Sequence, residues 1–155
     1  MLAVTEENVL IGVDAGCKED VIRLLTELLV KSGCVTPEYY DVLIKREEEY
    51  PTGLPTEGAK VAIPHGFSEG SVIKPALAIA TLKRPVVFRN MVSRDEEIPV
   101  EIVFLFALAD AEEGGEDLHR VMGIFSDGGL LAALRDARSG SEVTGIMEKL
   151  LREAP

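Results

Sequence analysis

The chain has 155 residues and a formal charge of −11, from 27 acidic and 16 basic residues; 46% of its residues are hydrophobic and 28% are charged. That length and balance fit one globular domain and exclude a mainly disordered, collagen-like or two-core chain. The negative charge repels phosphate backbones and anionic lipid, which argues against nucleic-acid or membrane-surface binding and for a partner with a basic docking patch.

Cys17 and Cys34 form no CxxC pair and are too few for a secreted disulfide scaffold, so both read as reduced thiols of a cytoplasmic protein, semi-buried as small hydrophobes. The opening MLAVTEENVL lacks a basic region followed by a long apolar one, and no window reaches the ~18 apolar residues of a membrane span.

VLIGV (Val9 to Val13) is short and β-branched enough for a strand, although its periodicity also admits a helix. From Lys18 to Lys31, Val21, Leu24, Leu25, Leu28 and Leu29 recur at helical steps, with Gly33 just beyond the end. Thr36 before Pro37 predicts an N-cap and first helical residue, opening a second helix that carries Tyr39, Tyr40, Leu43 and Ile44 towards Glu48. Prolines and glycines make Tyr50 to Gly58 a loop. Val61 to Ile63 then reads as a short strand stopped by Pro64, with further strands at Ala76 to Leu82, Pro85 to Phe88 and the apolar Ile98 to Ala109. Three amphipathic helices close the chain, over Glu116 to Phe125, Gly129 to Arg135 and Ser141 to Leu151. Uniformly apolar strands between two-faced helices predict an α/β fold, a single domain over residues 1–155 with a mixed sheet covered by helices on both sides.

Only two histidines occur. His65 lies between Pro64 and Gly66, at the end of a predicted strand, where α/β proteins place their sites. His119 falls at the edge of the apolar stripe Leu118, Val121, Met122 and Phe125, a position that suits a site lip or an ordinary surface residue. Phosphate-loop, dinucleotide, nucleophile-elbow and zinc motifs are all missing, and a metal site would need ligands drawn from scattered carboxylates. The acidic runs REEEY and DAEEGGED read as solvated charge.

The stretch REEEYPTGLPTEGAKVAIPHG resembles the IIA domain of the fructose, mannitol and galactitol branch of the bacterial phosphoenolpyruvate-dependent sugar phosphotransferase system, with galactitol-like members closest. The family's helix ending in Arg-Glu, loop with Thr-Gly, and strand ending in Ile-Pro-His match Arg46 and Glu47, Thr52 and Gly53, and Ile63 to His65. The likeness continues through KPALAIATLKRPVVFRNM and IPVEIVFLFALA to LHRVMGIFSDGGLLAAL. Relatives often follow Pro-His with a small polar residue and an acid, whereas this chain has Gly66, Phe67 and Ser68.

The resemblance implies a mannitol/fructose-type IIA fold and a phosphocarrier in which His65 accepts a phosphoryl group from the carrier protein HPr and passes it to a cysteine of a IIB component. The membrane IIC component would be an indirect partner. His119 matches a second active-site histidine of many members and Arg46 the family's helix-end arginine. Phosphoryl transfer between nitrogens asks chiefly for positioning and charge neutralisation, so no metal or cofactor is required. A carbonyl or carboxylate on one ring N–H would fix the tautomer and leave the other nitrogen, by the resemblance Nε2, as nucleophile. Arg46 offers a forked cation for phosphate oxygens and Thr52 a hydroxyl, while an exposed Phe67 could centre the docking surface. The alternative is a regulatory relative whose phosphorylation state signals to a transporter or transcription factor.

Overall fold

The computed structural model describes residue 2 and residues 4–153, so the expected domain of residues 1–155 extends slightly beyond them. Strands without polar alternation need cover on both faces, and that need organises the protein. Two long antiparallel strands, β5 (Ala76–Arg89) and β6 (Glu97–Leu108), form the centre of a six-stranded mixed sheet. β1 (Val9–Val13) adds parallel to β5. The other flank of β6 takes β3 (Val61–Ala62), with β2 (Gly53–Leu54) antiparallel outside it, and β4 (His65–Phe67).

The period of two along β6 sorts its side chains between two cores. Ile102, Phe104, Phe106 and Leu108 pack with residues of α3 (Ala111–Met122), α4 (Gly128–Arg135) and α5 (Gly140–Glu153). Val103, Leu105 and Ala107 pack with Leu25 and Leu29 of α1 (Lys18–Lys31) and with Tyr39 and Leu43 of α2 (Tyr39–Glu49). The expected mixed sheet with helices on both sides is therefore the fold.

Several elements differ from expectation, and β2 is one of them: Gly53 and Leu54 pair with Ala62 and Val61 inside the stretch Tyr50 to Gly58 expected as a loop. The two strands expected over residues 76–88 are one, with a register shift between Thr81 and Val86 where Pro85, lacking an N–H, interrupts the ladder. Pro64 does not end pairing: Val61 lies opposite Ile102, Ala62 opposite Val103 and His65 opposite Phe106, so β4 resumes the register of β3. The proline keeps its place by offering β6 only a carbonyl, which accepts from the Phe106 N–H at 3.0 Å. Helix α2 begins at Tyr39 rather than at Pro37; the Tyr39 and Tyr40 N–H groups bond three residues back, to Thr36 and Pro37, in a tighter entry turn. Helix α3 begins at Ala111, five residues early, because Gly114 lets its first turn lie against Leu108, where an added Cβ would be 3.0 Å from that side chain. Its acidic first turn also suits the positive helix end.

Candidate active site

Lys60 and Pro64 offer their carbonyls to β6, so by the alternation of a strand Ile63 directs its N–H and C=O to the opposite side. The N–H donates to the Thr52 carbonyl at 3.2 Å. The carbonyl receives His65 Nδ1 at 2.7 Å. A carbonyl can only accept, so Nδ1 carries the proton and the neutral ring keeps its lone pair on Nε2. His65 is half-buried. Burial holds its pKa below the ordinary 6.5, the Arg46 charge adds to the lowering, and the Ile63 carbonyl works against both. Burial thus favours the neutral ring.

Helix α2 frames this histidine because Tyr39 ties it to the sheet. The buried phenol oxygen lies 2.7 Å from each of the Gly66 and Phe106 carbonyls and accepts the Gly66 N–H at 3.1 Å. Gly66 permits the close approach: a Cβ there would meet Val42 Cγ1 at 3.0 Å. One turn before the helix ends, Arg46 reaches over a groove of about 220 Å³ lined by Val42, Lys45, Arg46, Glu49, Tyr50, Gly66 and Phe67. Its guanidinium carbon stands 5.2 Å from the Tyr50 ring centre and 5.7 Å from that of Phe67. Phe67 in turn meets the His65 ring edge-on, with centroids 6.1 Å apart. Phe67 is half-buried rather than exposed. The Arg46 Nε is buried and makes no hydrogen bond among the described residues. A buried donor without an acceptor is costly, and an anionic group in the groove would satisfy it.

Two expectations are corrected next to this groove. Thr52 was a candidate phosphate contact, but it is 2% exposed and its hydroxyl lies 2.8 Å from Glu47 Oε2, to which it donates. The Thr52 N–H donates to Glu47 Oε1 at 2.9 Å. Glu47, read as part of a solvated acidic run, is itself 4% exposed, and only Glu48 and Glu49 face solvent. Burial pushes the Glu47 carboxyl up to about 7, while the two Thr52 donors pull it back. The helical stripe carried the signal, since Tyr39, Leu43 and position 47 repeat at four-residue steps on the buried face of α2.

His119 is exposed in the last turn of α3, and no hydrogen bond or ring contact among the described residues joins it to His65. Its helix nevertheless stands at the same end of the sheet: Leu118 and Phe67 pack against one core that also contains Leu108, the residue paired with Phe67. Cys34 is buried and Cys17 exposed, and both are free thiols, so the semi-buried reading fails for Cys17 at the start of α1. Among the described residues no group of three or more His, Cys, Asp or Glu could hold a metal ion, and no helix is long and apolar enough to cross a membrane.

Comparison with known proteins agrees with this fold. The family described as phosphoenolpyruvate-dependent sugar phosphotransferase system, EIIA 2, matches residues 3–150. An ascorbate-specific PTS system EIIA component of Shigella boydii is 27% identical over 145 residues, covering 92% of this chain and 90% of that protein. The crystal structure of IIA mannitol from Escherichia coli superposes with a TM-score of 0.76 at 27% identity, covering 97% of this chain and 99% of that one. The complex of enzyme IIAMtl and phosphorylated enzyme IIBMtl from Escherichia coli gives a TM-score of 0.80 at 25% identity, covering 96% and 99%. These relatives bear ascorbate and mannitol in their names, so they lend nothing to the galactitol likeness of the motif.

Proposed function

The chain belongs to the EIIA 2 family of the phosphoenolpyruvate-dependent sugar phosphotransferase system, and from that premise we propose that it shuttles phosphoryl groups on His65, from phospho-HPr to a IIB component, in the cytoplasm. The observation that carries the reading is the 2.7 Å bond from Nδ1 to the Ile63 carbonyl, which leaves Nε2 as the free nucleophile. In the first transfer the Nε2 lone pair attacks phosphorus, the nitrogen–phosphorus bond to the carrier's histidine breaks, and that imidazole leaves with the electron pair. Positive charge then develops on the His65 ring, and the Ile63 carbonyl stabilises it through the Nδ1 proton. Arg46 supplies a fixed charge and its unspent Nε–H to the phosphoryl oxygens. In the second transfer a IIB thiolate attacks phosphorus and Nε2 is released. The IIB partner is drawn from the mannitol relative, whose structure is a complex with phosphorylated IIB.

Incubation with phosphoenolpyruvate, enzyme I and HPr, followed by intact-mass measurement, tests the reading. One acid-labile phosphate on His65, lost on adding a cognate IIB component, is expected. No phosphate, or phosphate elsewhere, refutes it. Phosphate on His65 that no IIB component removes would favour the regulatory alternative.

The pH profile follows from the depressed His65 pKa. With pre-phosphorylated HPr, the initial rate of labelling should level off in alkali and fall in acid, as a proton occupies the Nε2 lone pair. The midpoint should lie below 6.5. A midpoint above that value would show that burial does not hold the ring's pKa down.

A further inference from the structure

The antiparallel register of β2 and β3 sets Gly53 opposite Ala62 and Leu54 opposite Val61, and continued by one residue it sets Thr52 opposite Ile63. The Ile63 N–H does donate to the Thr52 carbonyl, which makes this a hydrogen-bonded pair. Such a pair normally exchanges two bonds, the second running from the Thr52 N–H to the Ile63 carbonyl. That second bond is replaced. The Thr52 N–H goes instead to Glu47 Oε1 at 2.9 Å, and the vacated Ile63 carbonyl takes His65 Nδ1 at 2.7 Å.

We propose that Glu47 is a positioning residue for His65: by capturing the amide and hydroxyl of Thr52 it withholds the ladder donor from the Ile63 carbonyl, and so sets the tautomer of the imidazole. Without the carboxylate, Thr52 N–H and His65 Nδ1–H compete for one carbonyl. The backbone donor is the one that the ladder sets opposite that carbonyl, and when it takes the carbonyl the ring loses the bond that keeps Nε2 unprotonated. Arg46 and Glu47 thus divide the work at the end of α2, one side chain over the groove and its neighbour beneath the loop, because successive helical residues point about 100° apart. The chemistry also explains why an acid occupies a buried helical position. Its two oxygens accept from Thr52 at 2.9 Å and 2.8 Å, an arrangement that an apolar residue cannot reproduce and that a serine or threonine is too short to reach.

The inference deepens the proposed shuttle and rests on His65 being its nucleophile, yet its test is made on the unphosphorylated protein. Nitrogen-15 spectra of histidine-labelled full-length chain, with His65 assigned by difference from His119→Ala, read the tautomer directly. The wild type should show Nδ1–H alone at alkaline pH. Glu47→Ala should shift His65 to a mixture of tautomers and slow labelling roughly 10- to 100-fold, the range found when a metal-bound histidine loses its outer partner. Glu47→Gln keeps an oxygen for the Thr52 N–H and should restore most of the Nδ1–H form, while Glu48→Ala, at an exposed neighbour, should change nothing. An unaltered His65 tautomer in folded Glu47→Ala overturns the proposal. Should that variant not fold, the wild type still decides: scalar coupling from the Thr52 amide to the Glu47 carboxyl carbon supports the inference, and coupling to the Ile63 carbonyl carbon refutes it. Failure of phosphoenolpyruvate-dependent labelling in the wild type would strike the shuttle alone, leaving the tautomer result intact.

Discussion

His65→Ala is expected to abolish phosphoenolpyruvate-dependent labelling altogether, leaving no acid-labile phosphate above background in intact-mass spectra. A transfer that relies on positioning has no substitute once the nucleophile is removed, because the remaining groups only hold the phosphoryl oxygens. Alanine at this half-buried position leaves the Ile63 carbonyl without its ring donor but opens no large hole in either core, so the variant should fold, and an unchanged thermal transition would confirm it. His119→Ala is the informative contrast. His119 is exposed and makes no bond to His65, so its loss should retain the label and slow transfer, by roughly tenfold or more if it donates to the moving group. Label lost with His119→Ala but kept with His65→Ala would exchange the two roles.

Gly58→Ala should be the most damaging single-methyl substitution in the scaffold, although residue 58 is exposed. Its φ is +83°, and a Cβ would stand 1.8 Å from the backbone oxygen of Gly128 at the start of α4. The backbone conformation alone costs about 1–2 kcal/mol for an L residue. Overpacking against a main-chain atom, which cannot rotate away, adds about 1–3 kcal/mol. The sum is a large share of the ~5–15 kcal/mol that holds a domain together. At about 2–4 °C per kcal/mol for a chain of this length, the melting temperature should drop by roughly 4–20 °C. Gly70→Ala is the control, since nothing lies within 4 Å of its added Cβ, and it should melt within about 2 °C of the wild type. Equal melting temperatures for the two variants would mean that the Gly58 loop and α4 do not meet as closely as described. The contact bears on function because residue 58 leads into β3, and β3 leads through Pro64 to His65.

Local pattern located the parts of the site but not their employment. Helix α1 was predicted with its observed ends because its apolar steps and Gly33 are signals within a single turn of chain. His65 stood out because a proline and a glycine bracket it. Thr52 and Glu47 were both visible as motif residues, yet one was assigned to phosphate and the other to solvent. The four-residue stripe of α2 marks position 47 as buried, but their mutual bonds span a helix end and a loop, and the spacing of five residues does not say that the two side chains meet. Pro64 misled for a related reason. A missing N–H predicts the end of a ladder, but β6 asks that position only for a carbonyl, which no property of residue 64 alone reveals.

Composition, periodicity and the resemblance therefore determined the class of protein, the two-sided sheet and the histidine at its margin, because hydrophobic period and turn residues are written in consecutive positions. Which nitrogen of that histidine holds the proton was decided only in three dimensions. It depends on who claims the Ile63 carbonyl, and the claimants, Thr52 and His65, come together with Glu47 only when α2, β2 and β3 are packed on one sheet. Hydrogen-bond donors are plentiful along any chain, so their pairing is a property of the fold.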